Sequence, residues 1–129
     1  FDLAHAPWAR PAAQRRDVLV NTNFPIVNAV HARGTQVDRA AMRAIGFDED
    51  QIAEMVELVG RIMDGMIAAV VQFARARPAL RFVVRPHPFE GLAAYRKAFA
   101  GISNVVVRQE GNVLDALAEA ACLLHVNCT

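Results

Sequence analysis

LRFVVRPHPFEGLAAYRKAFAGISNVVVRQEGNVLDALAEAACLLHVNCT, Leu80–Thr129, decides the fold of this chain. Its apolar run Leu80–Val84 predicts a buried strand that ends in Arg85-Pro86-His87-Pro88. Leu92–Ala100 predicts a short helix with Tyr95 and Phe99 on one side. Val105–Val107 is a second strand, followed by Arg108-Gln109-Glu110 and Gly111. Asn112 is a good N-cap, with Asp115 three residues on, for a helix reaching about Ala121. Cys122–Val126 is a further strand, leading into Asn127-Cys128-Thr129. Strands that alternate with helices imply right-handed crossovers and a parallel sheet.

The same alternation extends towards the start of the chain. Asp17–Thr22 (DVLVNT) is a β-branched run that turns polar, as a strand buried on both faces would. A short helix is expected over Val37–Ala44. The clearest element is a helix over Asp48–Arg77. Asp48 and Gln51 form a capping-box pattern, apolar residues recur at Ile52, Met55, Val59, Met63, Met66 and Val70, and Pro78 blocks continuation. Its methionines read as core or interface. Phe1–Arg16 reads as a linker, leaving 17–129 as the domain. The fold expected is α/β: a Rossmann-like parallel sheet with helices on both faces.

Composition narrows the function. The 129 residues are 54% hydrophobic and 21% charged, with a formal net charge of +1. That is a globular balance without the basic excess of a nucleic-acid surface. No apolar stretch is long enough to cross a bilayer and no signal peptide is visible, so the cytoplasm is the expected compartment. Cys122 and Cys128 form neither a disulfide framework nor a metal-ligand spacing. The chain begins at Phe1 and stops just after a strand-like run. It therefore reads as a piece of a longer protein, with apolar surface uncovered beside Cys122–Val126.

Each strand ends in polar residues, and in a parallel sheet these ends share one edge, where ligands bind. The candidate binding residues are Asn21, Asn23, Arg85, His87, Glu90, Arg108, Glu110, Asn127 and Thr129. Two prolines stiffen the backbone around His87, whose imidazole can donate to a phosphate oxygen while Arg85 adds bidentate contacts. A helix beginning after Asn127 would offer N–H groups beside the Thr129 hydroxyl. Glu90 and Glu110 suit sugar or ribose hydroxyls. His125, inside the last strand, is expected to be a hydrogen-bonded core histidine. No Walker loop or Gly-x-Gly-x-x-Gly is present, the chain reads as lacking an acidic metal cluster such as Asp-x-Asp, and neither a metal nor a cofactor is expected.

The blocks VLVNTNF (Val18–Phe24), VRPHPFE (Val84–Glu90), NVVVRQEGNVLDAL (Asn104–Leu117) and LLHVNCT (Leu123–Thr129) carry a resemblance. In this order they resemble bacterial surface-carbohydrate biosynthesis proteins of GT-B type. Those are similar in turn to the CDP-glycerol glycerophosphotransferases and other transferases with a His-Pro motif. The resemblance covers about residues 17–129. It implies two Rossmann-like halves, this chain being the first part of the half that holds a nucleotide-activated sugar or polyol donor. The glycan acceptor would be bound through the other half. Peripheral membrane association of the longer protein is compatible with it, and nucleic acid is not a partner. A nucleotide-sugar epimerase of the same architecture, or a non-catalytic nucleotide-sugar-binding module, would carry the same strand ends.

Overall fold

The computed structural model describes residue 11 and residues 14–126, without the side chains at 32–35 and 37. Eight elements follow in order: β1 Asp17–Asn21, α1 Ala32–Ala44, α2 Glu49–Ala76, β2 Arg81–Arg85, α3 Leu92–Ala98, β3 Val105–Val107, α4 Val113–Glu119 and β4 Ala120–His125. The four strands form one sheet in the order β3-β2-β1-β4, and every pairing is parallel. The chain is therefore an α/β protein with a Rossmann-like sheet. All strand C-termini lie along one edge.

Side-chain alternation divides the core between the two faces of the sheet. Val20, Phe82 and Val84 pack with Met63, Val70 and Ala74 of α2 and with Tyr95 and Phe99 of the α3 segment. Leu19 and Val83 point the other way, onto Ala116 of α4 and Ala120. Leu19 is 1% exposed, so Leu19→Ala would cost about 2–5 kcal/mol. α2 has 28 residues, about 42 Å at the helical rise, which is more than twice the length of the strands. Its second half covers the sheet, and its first turns stand beyond the C-terminal edge.

The sheet's start is fixed by charge. Asp17, 4% exposed, accepts from Arg81 Nε at 2.8 Å and from the same guanidinium's NH2. Glu119 lies 3.6 Å from that group. The hydrogen bond to Asp17 is the main reason the Arg81 pKa is raised. Just upstream, the end of the expected linker is tied down, because Arg16 N donates to Glu119 O at 3.1 Å.

Several element boundaries differ from expectation. α1 starts at Ala32, five residues before Val37; its N-cap His31 makes no side-chain capping bond, so no capping signal marks this start. α4 ends at Glu119, because Ala120 is already extended and paired with Asp17. Asn112 does cap α4, but through Leu114 N at 2.9 Å and not through residue 115. The Asp48–Gln51 capping box is present in both directions, at 2.8 and 2.9 Å. Asp48-Glu49-Asp50 does have Asp-x-Asp spacing, contrary to the sequence reading. It is used to start α2, with Asp48 as cap and Glu49 paired with Arg43.

β4 is an edge strand. His125 is exposed at its end, not the core histidine expected, because among the described residues no strand flanks β4 on its outer side. Among the described residues, apolar surface is open beside β4. A groove of about 600 Å³ runs between α2 (Ile62, Met66, Phe73) and β4 (Leu123, Leu124, Val126). No described helix is long and apolar enough to cross a membrane.

Candidate anion-binding cleft

At the C-terminal edge, the last rung of the sheet sets out a row of polar side chains. Asn21 is level with Arg85 on one side and His125 on the other. Arg108, one residue past the Val84–Val107 pair, comes level with Arg85. Neighbours in such a row are spaced by about 4.8 Å. Asn21 and Arg85 follow Leu19 and Val83 by two residues and so share the α4 face. A cleft of about 440 Å³ opens there, lined by Asn21, Thr22, Arg85, the Pro86-His87-Pro88 segment and the turn Gly111–Val113. It lies over the ends of β1 and β2, on the other side of β1 from the β1–β4 junction where the strand order reverses. Ligand crevices in open α/β sheets lie outside the strand C-termini near such a reversal.

The loop that carries His87 is fixed from beneath by Glu90. This carboxylate is fully buried. Oε1 accepts from the Thr22 hydroxyl at 2.7 Å and from His87 N at 2.8 Å, and Oε2 accepts from the Tyr95 hydroxyl. The Tyr95 oxygen also lies 3.0 Å from Thr22 Oγ1. Burial, reinforced by the Glu90 bond, pushes the Tyr95 pKa well above its usual value. Glu90 N returns a bond to His87 O at 2.8 Å, closing the turn. Contrary to the sequence reading, Glu90 does not face a ligand hydroxyl: it is fully buried, and three of its roughly four acceptor sites join β1, the His87 loop and α3.

His87 itself is oriented for donation. Its Nδ1 accepts from Phe89 N at 3.3 Å. A neutral imidazole with Nδ1 as acceptor carries its proton on Nε2. Among the described residues no protein group takes that Nε2–H, and the residue lines the cleft. Gln109, passed over in the sequence as one more polar strand-end residue, holds the loop from the β3 side. Its amide donates to His87 O at 2.7 Å and to Glu90 O at 3.0 Å.

Arg85 is half-engaged. One of its nitrogens donates to Glu110 O at 2.8 Å and another to Gly111 O. Five guanidinium N–H groups less two leave three for a ligand. Gly111 sits at φ 83°, a left-handed turn that favours glycine and aims its carbonyl at Arg85. The Glu110 side chain is exposed and, among the described residues, accepts only from the neighbouring Gln109 N, at 3.2 Å. Asn23 is half-buried just past β1. Asn127 and Thr129 lie outside the described residues. Among those residues, Asn21 Oδ1 and Arg108 Nε are buried polar side-chain atoms without a partner, both at this edge. No cluster of three or more metal-ligating side chains occurs among the described residues.

No family model matches the chain, and no curated protein or solved structure gives a significant match.

Proposed function

We propose that the cleft holds the phosphates of a nucleotide-activated sugar or polyol. On this reading, the chain is the donor-binding half of a glycosyl- or glycerophospho-transferase of surface polysaccharide synthesis, working in the cytoplasm. The observation that carries the reading is that His87 and Arg85 line one cleft, each with N–H groups that no described protein group accepts. These donors stand at the C-terminal edge of the sheet, outside which ligands bind in open α/β folds. The resemblance of the Arg-Pro-His-Pro and Asn-Cys-Thr blocks to GT-B surface-carbohydrate proteins supplies the donor class.

The chemistry asked of these residues is electrostatic. The acceptor hydroxyl forms the new bond as the anomeric C–O bond of a nucleotide sugar, or the P–O–P bond of a nucleotide-activated polyol phosphate, breaks; negative charge then grows on the departing nucleoside phosphate. Donors already fixed at that point stabilise it without reorganising. The buried Glu90–Thr22–Tyr95 cluster and the Gln109 amide supply that fixity. Melting the protein against a panel of nucleotides and nucleotide sugars tests the reading. A specific ligand at a hundred times its Kd should add about 2.7 kcal/mol of stability. No stabilisation by any phosphorylated compound would reject it. Turnover without acceptor would assign the epimerase instead, and binding without turnover by the longer protein would assign a binding module.

A further inference from the structure

Beyond the phosphate contacts, we infer that Phe89 is a stacking platform for the base of a nucleotide whose phosphates occupy the His87 cleft. The inference rests on the anion-binding reading above and adds to it the part of the ligand that carries no charge. Phe89 is 69% exposed although it lies one residue from fully buried Glu90. An exposed phenyl ring on a loose loop would be unremarkable; this backbone is held on both sides. Phe89 N donates to His87 Nδ1, and Phe89 O accepts from Val30 N at 2.9 Å. The following residue forms a bridge with Ala29. The ring is thus presented at a set place with little ordering left to lose on binding, which favours affinity.

Its position fits the role. The Phe89 and His87 ring centroids are 5.2 Å apart, inclined at 63°. This edge contact leaves most of the Phe89 ring open to solvent. Phe89 does not line the cleft itself, but its ring touches that of His87, which does, so on this inference the base reaches past the imidazole to the phenyl ring. Inorganic phosphate, pyrophosphate and simple polyol phosphates have no group to use it, whereas a nucleobase has a π-face. Aromatic stacking tolerates every base, so Phe89 would favour nucleotides as a class without choosing among them.

The test is calorimetric titration of the full chain with pyrophosphate and with the 5′-diphosphates of cytidine, uridine, adenosine and guanosine. Wild type, Phe89→Ala and Phe89→Tyr are compared, with melting curves on each. The wild type should bind at least one nucleoside diphosphate about five- to a hundredfold tighter than pyrophosphate. Phe89→Ala should erase that advantage and leave pyrophosphate affinity and the melting temperature nearly unchanged, while Phe89→Tyr keeps it. Pyrophosphate binding with no preference for nucleotides would overturn the stacking role alone. Equal losses for both ligands in Phe89→Ala would overturn it too. Failure of the wild type to bind pyrophosphate would overturn the anion reading and this inference together.

Discussion

The two edges of the sheet each carry a charged hollow of similar size, yet they are built on opposite rules. At the N-terminal edge, a hollow of about 540 Å³ is lined by Arg16, Asp17, Arg81 and Glu119. There Arg81 is chelated by Asp17 and backed by Glu119. At the C-terminal edge, the carboxylate is buried beneath the loop, and among the described residues the cationic and imidazole donors that line the cleft have no acidic partner. Charge alone does not mark a site. What separates the edges is whether the charged groups satisfy each other or leave donors over.

The comparison can be broken first at Glu90. Glu90→Ala removes an acceptor from Thr22, Tyr95 and His87 N in a buried place, and the expected loss is about 3–5 kcal/mol, read by chemical denaturation. Tyr95→Phe removes one bond to that carboxylate and should cost about 1.5–3 kcal/mol. Its pH dependence gives a sharper check. Because folding raises the Tyr95 pKa, the unfolded chain loses the phenolic proton first, near pH 10. The tyrosine's contribution is therefore whole below pH 10 and is lost as pH rises beyond it. Wild type should lose stability more steeply than Tyr95→Phe there, and the gap between them should narrow. At the other edge, Arg81→Ala leaves Asp17 buried and unpaired. Arg81's side chain is 54% exposed and so screened, which limits the expected loss to about 1–2 kcal/mol. Phosphate-ligand affinity should not change, and a change would show that the edges are not independent.

How much of this was legible depended on whether the signal was local. The Asp48–Gln51 capping box, the period of α2 and the strand Val105–Val107 are written within a few consecutive residues and appear where expected. The shared edge followed from the alternation of strands and helices. Strand order was not legible, so β4 could not be seen as an edge strand, and His125 was placed in the core when it is exposed. Glu90 was misread for a related reason. Its partners Thr22 and Tyr95 are 68 and 5 residues away, and nothing local distinguishes a buried glutamate from a surface one. Tyr95 was read as packing alone, and its hydroxyl's link to Glu90 became visible only with the fold. Gln109 was hidden in the same way, since its targets, the His87 and Glu90 carbonyls, come from another strand's loop.

The smallest expected loss of stability is at His87, and this residue tests the central claim most directly. Its imidazole makes one long bond, to Phe89 N at 3.3 Å, so His87→Ala should melt close to wild type. If Nε2–H faces a phosphate, losing a charge-assisted bond costs about 1.5–3 kcal/mol, roughly ten- to a hundredfold in affinity. Titrating pyrophosphate into wild type and His87→Ala, with melting curves on both, measures the two effects side by side. Weakened binding at an unchanged melting temperature is the predicted result; unchanged binding with a lowered melting temperature would contradict it.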